Sequence, residues 1–192
     1  MIRLTGGGAR AMVALAVVVL AAALLAGCDG GRTGPAPQAT RPAPVTITAA
    51  GLMDKVTRSN LPIAQVRCYT TADDPNGLLG KAGQYAGRCA WHDTRIEDPF
   101  PEVTKQDGPP TIIGGSIEVF ERPGDAVRRA GYLESFDDLS PEWHWVVPSG
   151  GIVLLRVSRE LTRAQADAYH DALRTAVPPG PVRAGAPEGP RA

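Results

Sequence analysis

The stretch from Ile152 to Ala176, IVLLRVSRELTRAQADAYHDALRTA, decides the fold. Its first seven residues, Ile152 to Ser158, form an apolar run of strand length. Thr162 and Gln165 then stand three apart as a capping box, and Leu161 can close against Ala166 as a hydrophobic staple. Tyr169, Leu173 and Ala176 continue the buried stripe of the helix that follows. Upstream, Trp143 to Val147 mirrors the apolar run across Pro148-Ser149-Gly150-Gly151, which predicts a hairpin. Strand, strand and amphipathic helix in this order require a sheet face for the helix to cover.

Similar patterns extend toward the N-terminus. Pro123 opens a helix whose Ala126, Val127, Ala130 and Leu133 recur at helical spacing. Ser116 to Glu121 reads as a strand with Ile117 and Val119 inward. Arg88 to Ile96 is another, with Cys89, Trp91 and Asp93 on one face. Gln65 to Thr70 alternates, placing Val66 and Cys68 together. Asp74-Pro75-Asn76-Gly77 is a turn, with Pro setting its second position and Gly permitting the exit. Leu52, Met53 and Val56 predict a first helix, stopped by Asn60 and Pro62. Glu97 to Gly114 has four Pro and few apolar positions, and is expected to be a long loop. The order α-β-β-β-α-β-β-α predicts an α+β fold: a mostly antiparallel sheet of about five strands with about three helices packed on one face.

The chain has 192 residues, with 20 Lys plus Arg against 20 Asp plus Glu. That balance gives no basic excess, so no nucleic-acid partner is expected. Gly and Pro make up 22 and 18 residues, and many of them lie outside residues 51–177. Asp29 to Ala50 is rich in both and poor in large apolar side chains, which predicts a disordered linker. The Pro-rich tail, 178–192, is expected to be disordered too. Between these flanks, residues 51–177 are expected to form a single domain with 14 basic and 18 acidic residues, about four net negative charges. An acidic domain is repelled by anionic lipid and by nucleic acid alike.

The front of the chain differs from the rest. Arg3 and Arg10 are the only charged side chains before Asp29, and Ala11 to Ala26 is an unbroken run of 16 Ala, Val, Leu and Met residues. The run is shorter than the roughly 20 residues that span a bilayer and ends in small side chains, as an export signal does. Its last residues, Leu25-Ala26-Gly27-Cys28, resemble the lipobox of bacterial lipoproteins. The resemblance implies a signal peptide over 1–27, cleaved before Cys28. It also implies a diacylglyceryl thioether on the Cys28 sulfur, with the new amine acylated as well. Two chains burying about 30 CH2 groups at about 0.8 kcal/mol each would hold the protein at the cell membrane, on its extracytoplasmic face.

Cys68 and Cys89 are the thiols left once Cys28 is acylated. Export would place them in an oxidising compartment, and each falls in a predicted strand, so a structural disulfide is expected. Its loop of about 20 residues corresponds to roughly 3 kcal/mol of restricted unfolded chain. No CxxC spacing suggests a redox pair.

Little in the sequence calls for catalysis, a metal or a cofactor. His92, His144 and His170 belong to no HxH, HExxH or Cys/His grouping. Gly114-Gly115-Ser116 precedes a strand rather than a helix, unlike a nucleophile elbow. The pairs Asp73-Asp74, Glu97-Asp98 and Asp137-Asp138 all fall in predicted turns and are expected to be solvated. Trp143 and Trp145, two apart on one strand, point the same way, with Trp91 a candidate neighbour. Buried, the three are core; exposed, they form a platform for a sugar ring or a partner's apolar side chain. The Glu97 to Gly114 loop is the second candidate surface.

The segments DPNGLLG (Asp74 to Gly80), GGSIEVF (Gly114 to Phe120) and VLLRVSRELTRAQADAY (Val153 to Tyr169) resemble a family of small exported domains of Gram-positive bacteria. The resemblance implies one compact domain and carries no activity or site. The expected function is therefore that of a membrane-anchored, non-catalytic binding or accessory domain, with an envelope protein or glycan as partner. The alternative is a cell-envelope enzyme that acts on a glycan through loop carboxylates, which would face each other across a cleft.

Overall fold

The computed structural model describes residues 43–136, 142–147, 150 and 152–185. The leader and Cys28, the stretch up to residue 42, Asp137-Asp138, most of the hairpin turn and the tail beyond Gly185 lie outside them. The strands are β1 (Val45–Ile47), β2 (Ile63–Cys68), β3 (Tyr85–Asp93), β4 (Gly114–Phe120), β5 (Glu142–Val147), β6 (Val153–Ser158) and β7 (Val182–Ala184). The helices are α1 (Ala49–Val56), α2 (Pro101–Asp107), α3 (Pro123–Glu134) and α4 (Arg163–Ala176).

Five strands form one antiparallel sheet in the order β2-β3-β4-β6-β5. The fold is α+β, as the sequence predicts, but its helices do not all share one face. Cys89, Trp91, Ile117, Val119, Leu155 and Val157 point toward α1 and α4, where Leu52, Met53, Val56, Tyr169 and Leu173 complete the larger core. Their sequence neighbours Ala90, Phe120 and Leu154 point to the opposite face and pack with Ala126 and Ala130 of α3. Alternation along a strand sends side chains both ways. The central strand β4 is therefore buried at all seven positions.

Helix α4 starts as its sequence dictates. Thr162 Oγ accepts the Gln165 N–H at 3.3 Å, and Gln165 Oε1 accepts the Thr162 N–H at 2.8 Å. Tyr169, Leu173 and Ala176 are buried along it. The hairpin of β5 and β6 pairs Trp143 with Val157 and Trp145 with Leu155. Asp74 organises the predicted turn from within. Its carboxylate accepts the N–H groups of Leu78 and Leu79 and the hydroxyl of Tyr85, and faces Arg88 at 3.3 Å. It is buried rather than solvated.

Three expectations need correction. The ordered domain is longer than residues 51–177: β1 and β7 pair in parallel, and Ile47, Ala49 and Ala50 join the core. The Pro and Gly residues around Val45–Ile47 and Val182–Ala184 hide two three-residue strands too short to show a period. The Glu97 to Gly114 segment is not all loop, because Pro101 starts α2 and a further helical turn covers Thr111–Ile113. Along β2, Gln65 takes a positive φ of 47° and the register shifts between Ala64 and Arg67. This bulge turns Val66 out to solvent.

Cys68 and Cys89 sit directly opposite each other on β2 and β3 and form a disulfide. The unreduced chain is expected to weigh about 2 Da less than the reduced one, the mass of two hydrogens. Replacing both residues with Ala should lower stability by roughly 3 kcal/mol in denaturant titration. Equal masses would rule the bridge out.

Candidate binding groove

The three Trp do not form one surface. Trp91 is wholly buried, with its ring 5.1 Å from that of Tyr169. It lies over Gly115, where an added Cβ would overlap the indole. It belongs to the core, not to a platform beside Trp143 and Trp145. Those two are half-buried, and the chain's own side chains cover them. Arg159 and Arg163 lie over Trp143 at 4.8 and 5.1 Å, and the Trp143 indole N–H donates to the Leu161 carbonyl. Trp145 carries Arg163 at 5.1 Å and stacks on His170 at 5.3 Å, within 10° of parallel. His170 is thus packed, and burial holds its pKa below the ordinary value. An open aromatic strip is not what a ligand would meet.

Beneath α3, the sheet carries a layer of charge that the sequence reading missed. Glu118 on β4, Glu142 on β5 and Arg156 on β6 are all buried. Arg156 donates to both oxygens of Glu142 at 2.8 and 2.9 Å and to Glu118 at 2.8 Å. Arg129 of α3 donates to the other Glu118 oxygen at 3.2 Å, and His144 sits 3.2 Å from Glu142. Burial alone would raise the Glu142 pKa, but hydrogen bonds from His144 and Arg156 and the Arg156 charge bring it down to about 2. Both carboxylates are matched by arginine and covered, so they are held for structure rather than for proton transfer.

A second charged element closes the opposite core. Asp93, at the end of β3, accepts the Tyr169 hydroxyl at 2.7 Å and two side-chain N–H groups of Arg95 at 2.9 and 2.5 Å. Burial pushes its pKa up, yet these donors outweigh it and hold the carboxyl below the ordinary range. Asp93 thereby ties α4 to the sheet.

Three openings among the described residues are of ligand size; the smallest, of about 420 Å³, lies between the end of α1 and the end of α4, and two are larger. One, of about 690 Å³, lies between α3 and the segment from Asn76 to Gln84. Its arginines are already matched: Arg128 by Asp125, Arg129 by Glu118, and Arg156 by both glutamates. The other, of about 480 Å³, is built by the segment between β3 and β4 together with the β6–α4 turn. Phe100, Val103 and Ile112 expose 68%, 56% and 47% of their surface there, over a floor that includes Ile113. Glu97, Asp98 and Glu160 also line it, and no Lys or Arg does so among the described residues. Asp98 uses one oxygen to accept the Phe100 N–H at 2.9 Å. Its other oxygen is shielded from solvent and has no hydrogen-bond partner among the described residues. Of the two surfaces expected from the sequence, this loop is the one left open.

The groove has a defined place in the molecule. It sits where β3 ends, β4 begins and β6 ends. The first described strand, β1, lies at the other end of the sheet: β1 pairs with β7, Val182 of β7 lies against Gly150, and Ala49 lies against Gly87 near the start of β3. The seven residues of β4 separate the two ends by about 20 Å.

Comparison of the chain with models of known protein families, with characterised proteins and with solved structures returns no match.

Proposed function

We propose that the chain is a lipoprotein, anchored through acyl chains on Cys28 to the extracytoplasmic face of the cell membrane, whose folded domain binds a partner without catalysing a reaction. The observation that carries the binding role is the open groove of Phe100, Val103 and Ile112. Large apolar side chains that stay exposed together around one opening mark an interaction site. The anchor rests on the leader and on Leu25-Ala26-Gly27-Cys28, and the disulfide suits the oxidising compartment that export would reach. The buried, ion-paired state of Glu118 and Glu142 supports binding over catalysis.

Fractionation of cells that express the Cys28→Ser chain tests the anchor. The variant should leave the membrane pellet almost completely, whereas the parent stays in it. A variant that still pellets with the membrane contradicts the anchor.

A further inference from the structure

We propose that the groove between β3 and β4 takes a basic amphipathic peptide segment of a partner protein, seated with its apolar face on Phe100, Val103 and Ile112 and its cations against Glu97, Asp98 and Glu160. This rests on the binding role given to the groove above and names its occupant. Phe100 and Val103 stand three residues apart at the start of α2, and Ile112 faces them from the helical turn at Thr111–Ile113. An apolar floor between two short helical elements suits helix-in-groove recognition, in which side chains at i, i+3, i+4 and i+7 anchor a segment.

Charge selects among occupants. Among the described residues the lining carries three carboxylates and no cation, and neighbouring Lys105 is engaged by Glu102 at 2.8 Å. A second acidic copy of this domain, or an anionic lipid surface, would be repelled at such a rim. A partner's Lys or Arg would be attracted to these carboxylates.

Selection of a random 15-residue peptide display library on the detergent-solubilised full-length protein, with the Ile112→Asp variant as counter-target, tests the proposal. Enriched peptides should combine large apolar residues at helical spacing with Lys or Arg. They should bind the parent at least tenfold more tightly than Ile112→Asp or a Glu97→Gln/Asp98→Asn/Glu160→Gln variant, and weaken as salt is added. The surface-neutral variant Lys105→Gln should bind as the parent does. No enrichment, acidic or uncharged winners, or equal binding to all variants would overturn the proposal. So would sedimentation showing that the groove joins two copies of the chain. Quenching of Phe100→Trp by brominated phosphatidylglycerol in reconstituted vesicles would place the groove on lipid and overturn it too. The selection does not depend on Cys28, so failure of the anchor and failure of the peptide site are told apart.

Discussion

Arg156→Met should destabilise the fold by about 3–5 kcal/mol at pH 7, the usual cost of removing one partner from a buried ion-pair network. The substitution leaves Glu118 and Glu142 buried side by side with their main counter-charge gone. Arg129 still reaches Glu118, but for Glu142 it leaves only His144 among the described side-chain donors. The pH dependence should then weaken. In the parent, the Glu142 pKa is lowered from 4.5 to about 2 on folding. Its contribution is therefore present above pH 4.5 and is lost as the pH falls toward 2, by about 3 kcal/mol from this group. Asp93 and Asp74, also held low, act in the same direction. In Arg156→Met the Glu142 carboxylate has lost its main counter-charge, so acid costs the variant less than the parent and the gap between them should narrow below pH 4.5. Urea titrations at pH 7 and pH 3.5 read both effects. A variant within about 0.5 kcal/mol of the parent at pH 7, the range of an ordinary surface substitution, would show that the charged layer is not a supporting element.

Trp91→Ala should cost a similar amount, about 3–5 kcal/mol, because it empties a large, fully enclosed site over Gly115 and beside Tyr169. Trp143→Ala, at a half-buried position under Arg159 and Arg163, should cost clearly less. Denaturant midpoints of the two variants distinguish a core role from a surface role for Trp91. Equal, small losses would return Trp91 to the candidate surface residues. Gly115→Ala offers an independent check from the other side of the same contact: its new methyl group would displace the indole, so it too should destabilise.

The parts of the fold legible in sequence are those whose local chemistry and tertiary role agree. Thr162 and Gln165 cap α4 whatever it packs on, and Cys68 and Cys89 need only fall opposite each other. Asp93, Trp91 and Cys89 share a face because strand alternation demands it. The charged layer was not legible for the same reason. Glu118, Glu142 and Arg156 each look like the solvent side of a half-buried strand, and only α3, packed on that side, makes them interior. Helix α3 gave little warning, since its buried contacts rest on the small residues Ala126 and Ala130 while Val127 faces out. Strands β1 and β7 depend wholly on each other across 134 intervening residues, from Ile47 to Val182. The groove was visible only as an unusually long segment with four Pro. Phe100 and Val103 are a single pair three residues apart, too little to form a pattern, and Ile112, nine residues further on, joins them only through the fold of the segment.

Mass spectrometry of the native protein extracted from membranes measures the central claim directly. The account predicts an N-terminal fragment that begins at Cys28 and carries acyl chains on its sulfur. An unmodified fragment that begins at Met1, recovered from the soluble fraction, would contradict it.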